Sequence, residues 1–401
     1  MPSLLGSGGG GSTNPAAVAS SGKTSGPVAL LVPLTGPLAP VGQILENAAK
    51  LAFTGSSSSS GTTLDVRDTG GTAAGAASAA QAAIAAGDGI ILGPLTSAEA
   101  HAVAPVAQAA NVNVLAFTND SSVAAPGVWP LGITPSQQVQ RVVQAAADAG
   151  RTQVAALLTD DDFGHSLGTA LQAEAASLGE PSPSITFYDA GFSNLNDAVR
   201  TLSDFADRGE GLMAKIKSAQ DLNTAAGREQ ARELQHQQIP PPAFNALFIG
   251  ATQSADLAEI ATLLPYYSVN APQVQLLGPA LWAQIAPAMA NNAVLNGAMY
   301  AAADPAAASA FDAKYQTVYG SAPPAIADVA FDAAAIAQLA VGQGGYTVAV
   351  LTDPSGFTGT DGFLQLETNG QVQRGLAVFQ LAPGAPVITS PAPTQIKPPT
   401  S

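Results

Sequence analysis

Gly164-His165-Ser166-Leu167-Gly168 satisfies G-x-S-x-G, the pattern that puts a nucleophilic serine on a sharp strand-to-helix turn in serine hydrolases. That chemistry needs the serine directly after a strand, with an acid and a histidine further along. Here the aliphatic run ends near Thr159, and Asp160-Asp161-Asp162-Phe163 intervene. The only histidine downstream is His236, inside the polar stretch QHQQIPPP, whereas a triad histidine is seated against a buried carboxylate. The plainer reading is a helix opened by Gly164 with Ser166 near its cap. The Asp160–Asp162 run could suggest a cation site, but calcium loops space their ligands alternately, and consecutive loop residues point apart. Compensation of a helix amino terminus explains the three acids more cheaply. With no cysteine, and with His101, His165 and His236 the only histidines, no thiolate nucleophile is available and no metal site is expected. Neither a Walker A loop nor a G-x-G-x-x-G fingerprint is present, so no nucleotide cofactor is expected.

The elements that must position these residues alternate. Nine short aliphatic runs read as buried strands: 28–34, 63–69, 89–95, 112–118, 153–159, 184–190, 246–251, 274–279 and 297–303. Ala-rich helical stretches separate them, which predicts parallel α/β sheets. Four runs precede the loop at 119–135 and five follow it, so two doubly wound lobes with a crossover in that loop are expected. Gly93-Pro94 and Gly278-Pro279 close strands, and the carboxyl ends of strands are where open α/β sheets bind ligands. A binding cleft without a catalytic constellation is the pattern left standing.

Composition bounds the function. The chain has 401 residues, which suggests two domains or three at about 150 residues each. Apolar residues make up 47% and charged residues only 11%, against about 25% in ordinary domains. The net charge of −15 argues against nucleic acid and against an anionic membrane surface. No apolar run approaches the roughly 20 residues needed to span a bilayer. Six of the 14 basic residues fall between Arg200 and Glu233, mixed with acids. This is a charged helical insertion at 200–240, to be read as a solvated helix pair or as a partner-docking surface. Residues 1–26 read as a flexible Gly/Ser/Ala tether, either a plain tail or the start of an exported chain whose signal has been removed. Residues 383–401 read as a Pro-rich tail of unpaired extended chain, and Ser56–Ser60 as a surface turn.

Five segments in order carry a resemblance. VALLVPLTGPLAPVGQILENAAKLAF (28–53) resembles the opening of class I periplasmic solute-binding proteins of the leucine/isoleucine/valine-binding type. GIILGPLTSAEAHAVAPVAQAANVNVLAFTND (89–120), LLTDDDFGHSLGTALQAEAASLG (157–179), residues 311–340 and residues 357–381 resemble its later signatures. A narrower resemblance, to the penicillin-binding protein activator branch of LppC/LpoA-like lipoproteins, rests on VPLTGPLA (32–39), LAFTND (115–120) and GVWPLGITP (127–135). It is supported by FNALFIG (244–250), LLGPALW (276–282) and the insertion.

The resemblance implies a type I periplasmic-binding-protein fold: two Rossmann-like lobes, 27–118 plus 305–345 and 135–303 plus 346–382, joined by a three-strand hinge. It implies a ligand cleft lined by Thr35, Ser97, Thr118, Asn119, Asp161, Phe163, Thr252 and Trp282. Ser97 and Thr118 match the hydroxyls that hold a ligand carboxylate in amino-acid receptors, and Phe163 matches the stacking aromatic. The acid that such receptors place near 278–282 for the ligand ammonium is missing from Gly278-Pro279-Ala280-Leu281-Trp282. Burying an ammonium without a counter-charge costs several kcal/mol, so a free α-amino acid is a poor candidate. Trp282 reads as an apolar or sugar-stacking wall, or as core.

The expected function is non-enzymatic: a periplasmic regulator of peptidoglycan synthesis that touches a penicillin-binding protein. It would be tethered to the outer membrane through a lipid anchor on a cysteine that this chain lacks. The alternative is a solute-binding protein serving an ABC permease, and the third reading is a hydrolase at Ser166.

Overall fold

The computed structural model describes residues 22–54 and 62–395. Most of the expected tether, the serine run and the last residues of the expected tail lie outside them. The chain divides into two compact units. Unit 1 takes the described parts of Met1–Gly132 with Phe311–Phe357 and Gln365–Val372; unit 2 takes Ile133–Ala310, Thr358–Leu364 and the described parts of Gln373–Ser401.

Unit 1 opens with β1 (Val28–Val32), α1 (Ala39–Phe53), β2 (Leu64–Asp68), α2 (Ala73–Ala86), β3 (Ile90–Leu92), α3 (Ser97–Ala109), β4 (Asn113–Ala116) and β5 (Val128–Pro130). Unit 2 continues with α4 (Pro135–Asp148), β6 (Val154–Thr159), α5 (Asp162–Leu178), β7 (Ser184–Tyr188) and α6 (Leu195–Leu202). Then come α7 (Gly211–Asp221), α8 (Ala225–Gln235), β8 (Ala246–Ile249), α9 (Ser254–Tyr266), β9 (Gln275–Gly278), α10 (Trp282–Met289) and β10 (Met299–Ala302). Three helices, α11 (Pro305–Tyr319), α12 (Ala327–Gly342) and α13 (Val348–Leu351), lead back into unit 1. The chain then passes between the units within β11 (Phe357–Gly359), β12 (Gly362–Leu366) and β13 (Val372–Arg374), which form a small sheet of their own. It finishes with β14 (Ala377–Gln380) and β15 (Val387–Ser390) in unit 2.

The sheet of unit 1 is parallel throughout, in the order β2-β1-β3-β4-β5. Every residue of β1, β3 and β4 is buried, as a sheet covered on both faces requires. Small side chains on α2 and α3 (Ala76, Ala80, Ala83, Ala100, Ala107) let these helices sit close on Ala29, Leu31, Ile91 and Val114. On the remaining side α1 packs against α12. The sheet of unit 2 runs β15-β14-β10-β9-β8-β6-β7, parallel from β10 to β7 and antiparallel at β14 and β15. Its two faces carry separate cores, one around Val142, Leu158, Phe248 and Leu277, the other around Tyr188, Ile249, Leu264 and Trp282.

All nine expected strand runs contain strands, and the insertion at 200–240 holds the α7–α8 helical hairpin. Three expectations change. The 119–135 loop contributes a fifth strand to the first sheet, with Trp129 fully buried and its indole N–H donating to the Glu367 carbonyl at 2.7 Å. Gly127 and Pro130 disguise that strand as a turn, but an edge strand tolerates proline. In the expected tether, residues 23–26 are pinned: the Tyr346 N–H donates to the Lys23 carbonyl at 2.8 Å and the Tyr346 hydroxyl to the Gly26 carbonyl at 3.1 Å. In the expected tail, β-branched Val387, Ile388 and Thr389 give β15, which pairs with β14 and is held by Arg141 through Ser390 at 2.6 Å.

Candidate functional site

Each unit presents the carboxyl ends of its parallel strands as an edge, and the expected ligand residues fall on these edges. In unit 1, β4 ends just before Phe117-Thr118-Asn119-Asp120, and α3 begins at Ser97 after the Gly93-Pro94 strand end. Thr96 caps α3 reciprocally with Glu99, whose fully buried carboxylate accepts from the Thr96 N–H at 2.9 Å, the Thr96 hydroxyl at 2.8 Å and the Thr69 hydroxyl at 2.5 Å.

Ser97 and Thr118 are both engaged by one residue that sequence reading missed. The Ser97 hydroxyl donates to Asp120 Oδ2. The Ser122 N–H donates to Asp120 Oδ1 at 2.8 Å, and the Asp120 N–H donates to Thr118 Oγ1 at 3.1 Å. Burial alone would raise the Asp120 carboxyl, but the hydrogen bonds from Ser97 and Ser122, with the nearby His101, hold it below the ordinary aspartate value. His101 Nε2 lies 3.1 Å from Ser122 Oγ and 3.8 Å from Asp120 Oδ2. Thr35 and Asn119 are exposed. Thr35 donates its hydroxyl to Asp68 Oδ2 at 2.6 Å. Asp68, at the end of β2, also accepts the N–H groups of Leu34 at 2.8 Å, Gly70 at 2.8 Å and Thr35 at 3.2 Å. Some desolvation opposes these bonds, yet they hold the carboxyl below its ordinary value.

In unit 2, Asp161 caps α5 by accepting the Gly164 N–H at 2.7 Å, and Phe163 is half-buried against the core. Asp160 pairs with His165 Nε2 at 2.9 Å, and the His165 ring lies 4.4 Å from that of Phe187. Thr252 is half-buried ahead of α9. Trp282 has no exposed surface: its Nε1–H donates to the Ala251 carbonyl at 2.9 Å, and a Cβ at Gly278 would meet the indole at 2.2 Å. It is core, not wall, because Gly278 leaves room for the ring to lie on its strand. The Gly278–Trp282 turn is held instead by Gln138, which accepts the Ala280 N–H at 2.7 Å.

Two further residues on this edge escaped the sequence reading. Tyr188, at the end of β7, is fully buried, and its hydroxyl has no partner among the described residues. Burial raises that phenol well above its ordinary value, with the charges of Asp256 and Asp161 adding to the effect. Asp256, in the first turn of α9, is raised by burial as well.

The hydrolase geometry is not assembled at Ser166. The Ser166 hydroxyl is exposed and donates to the Asp162 carbonyl at 2.8 Å, one turn back in α5. The neighbouring His165 is committed to Asp160, and His236 caps the far end of α8. Gly164 is explained by packing, since a Cβ there would stand 1.9 Å from the Thr159 carbonyl oxygen. Among the described residues no group of three or more His, Cys, Asp or Glu is placed to hold a metal ion. No helix among them is long and apolar enough to cross a membrane. A cavity of about 200 Å³ lies at the opposite end of the unit 2 sheet from the strand carboxyl ends, lined by Met289, Asn292, Leu295 and Leu381 among others.

Comparison with known proteins gives a consistent picture. Residues 27–385 match the family described as Periplasmic binding protein. No curated protein matches the sequence. Among solved structures, one from Rhodospirillum rubrum, described as a branched-chain amino acid ABC transporter, is similar with a TM-score of 0.70 at 17% identity, over 91% of this chain and 100% of that one. The C-domain of LpoA from Haemophilus influenzae, a regulator of PBP1A, is similar with a TM-score of 0.63 at 19% identity, over 90% and 99%. The leucine-binding protein LivK of Thermotoga maritima is similar with a TM-score of 0.55 at 19% identity, over 92% and 99%.

Proposed function

Because the chain belongs to the periplasmic binding protein family, of the leucine/isoleucine/valine-binding type, we propose that it is a non-enzymatic periplasmic protein that regulates peptidoglycan synthesis by docking on a penicillin-binding protein. The observation that carries this reading is the commitment of the strand-end groups within the chain. The Ser97 hydroxyl is given to Asp120, Thr118 Oγ1 accepts the Asp120 N–H, Trp282 is core, and the 278–282 turn offers no acid. For a free α-amino acid, the 278–282 turn offers no ammonium partner, and the Ser97 hydroxyl that would meet its carboxylate is already given to Asp120. The likeness to the LpoA C-domain, whose whole length is matched, supports the same reading. The α7–α8 hairpin, with its exposed mixture of charges, is the proposed docking surface, and a lipid anchor on a preceding segment would hold the protein at the outer membrane.

The second reading is a solute-binding protein for an ABC permease, taking a small ligand other than a free α-amino acid. The likeness to the R. rubrum protein favours it. Surface plasmon resonance against purified bifunctional penicillin-binding proteins, run beside a thermal-shift screen with amides, sugars and muropeptides, separates the two. Low-micromolar binding to a synthase supports regulation. No such binding, together with saturable stabilisation by one solute, selects transport.

A further inference from the structure

We propose that the cavity at the amino end of β10 in unit 2 is a binding site for a small neutral ligand that carries an amide, of the class of a single acetamido sugar. The cavity lies at the opposite end of the sheet from the strand carboxyl ends. The inference is therefore separate from any ligand at those ends and from the choice between regulator and transporter.

The space, of about 200 Å³, is formed by the loop from α10 to β10 and by the residues that follow β14. Its floor is apolar. Leu295 and Leu381 are buried in the unit 2 core, and half-buried Met289 packs against that core. The loop is fixed on the sheet beneath it. The Gly297 N–H donates to the Leu381 carbonyl at 2.8 Å, and the side-chain amides of Gln275 and Gln380 both donate to the Gly297 carbonyl, at 2.7 and 3.2 Å. Gly297 has φ of 89°, a conformation that only glycine adopts without strain. The concavity is thus built by the fold, as small-molecule sites usually are.

Its polar groups are three carboxamides, Asn291, Asn292 and Asn296. Asn292 Oδ1 accepts the Val294 N–H at 3.1 Å, which orients that side chain and leaves its NH₂ group without a partner among the described residues. Asn291 and Asn296 are exposed, and their side chains make no hydrogen bond among the described residues. No lining residue is charged. This neutrality is set in the sequence, because no Asp, Glu, Lys, Arg or His occurs between Glu259 and Asp304 or between Arg374 and Lys397, the two segments that build the cavity. A charged ligand would give up hydration there without a counter-charge. A carboxamide both donates and accepts, so its complement is a group that does both, and the floor accepts a methyl group. At about 30 Å³ per water, the space equals roughly seven waters, which is room for one substituted ring. An acetamido sugar combines the ring, the amide, the methyl and zero net charge.

Methionine labelling gives a local readout, since the chain has only four methionines, Met1, Met213, Met289 and Met299. The full chain, carrying ¹³C-methyl methionine with Met289→Leu as the assignment control, is titrated with N-acetylglucosamine, glucose and glucosamine. The expected result is a saturable shift of the Met289 methyl by N-acetylglucosamine, with half-saturation on the order of 1 mM for so small a ligand. The Met213 methyl should not move. Glucose, which lacks the amide, and glucosamine, which is cationic and lacks the acetyl group, should bind at least roughly tenfold more weakly. Asn291→Ala/Asn296→Ala, which changes only exposed side chains, should weaken N-acetylglucosamine at least roughly tenfold. An unmoved Met289 methyl at tens of millimolar N-acetylglucosamine overturns the proposal. So does equal binding of glucose, or unchanged affinity in the double variant. A solute response that the double variant removes belongs to this cavity and carries no weight for transport, so this proposal and the regulatory reading fail separately.

Discussion

Arg67 Nε stands 3.8 Å from Asp88 Oδ2, yet the guanidinium makes its close contact, at 2.5 Å, with Asp65 instead. Asp88 is 2% exposed, at the amino-terminal side of β3, and neither of its oxygens has a hydrogen-bond partner among the described residues. Burial, with Asp65 beside it, pushes this carboxyl up to about 6, against the partial relief that Arg67 gives.

A raised acid binds its proton more tightly in the folded state than in the unfolded chain. Its contribution to stability is therefore complete below the unfolded value near 3.8 and is lost as pH rises through about 6. Asp88→Asn, which mimics the protonated form, is expected to raise the melting temperature above pH 6, by about 2–4 °C for each kcal/mol relieved. The gain should vanish as pH falls toward 4. Melting curves of both proteins from pH 4 to 8 check this, and a pH-independent difference would contradict it.

Gly164 and Ser166 should respond in opposite ways to the same substitution. Gly164→Ala drives a Cβ to within 1.9 Å of the Thr159 carbonyl, so α5 must shift away from β6. Overpacking of this kind costs about 1–3 kcal/mol. Ser166→Ala removes only an exposed hydroxyl bonded back to its own helix, and should stay within about 0.5 kcal/mol of wild type. Urea unfolding measures both. A hydrolase site would invert the order of importance, with Ser166→Ala abolishing ester turnover and Gly164→Ala tolerated.

The sheets were legible because parallel strands buried on both faces leave unbroken aliphatic runs, such as Val28–Val32 and Val154–Thr159. β5 was not, since three residues ending in proline carry no period and gain their place only by pairing with β4. Positions 97 and 118 could be located from strand ends and helix starts. That Asp120 engages both could not, because the contact with Ser97 spans 23 residues and depends on how the loop after β4 folds back. Trp282 illustrates the same limit. Its type suits a binding wall or a core, and only the bare strand at Gly278 decides between them. The unpartnered Tyr188 hydroxyl likewise follows from what surrounds β7, not from the run SITFYDA.

Trp282 should then behave as a core residue. Trp282→Phe keeps an aromatic ring on Gly278 but deletes the Nε1–H, leaving the Ala251 carbonyl without that donor at a cost of about 1–3 kcal/mol. Trp282→Ala should cost about 3–5 kcal/mol, as expected for emptying a buried indole site. Chemical denaturation of the three proteins gives the ranking. If Trp282→Ala were nearly as stable as wild type, the indole would have to be something other than part of the unit 2 core.

Arg228 and Arg232 stand one turn apart on α8, exposed, while Gly227 and Ala231 form the buried stripe of the same helix. Side chains at this spacing present their charges on one face. They belong to the segment 200–233, which holds six of the chain's 14 basic residues, balanced by six acids, in a chain with a net charge of −15. Arg228→Glu/Arg232→Glu should leave stability within about 0.5 kcal/mol, because neither residue is buried. If α7–α8 docks a cell-wall synthase, the same pair should weaken that complex at least roughly tenfold at low salt, less so at high salt, since rim charges act mainly through screened long-range attraction. Surface plasmon resonance at two ionic strengths reads both effects. Unchanged affinity at low salt would move the docking face off the hairpin, and a loss of affinity independent of salt would mean that the arginines act by direct contact and not by steering.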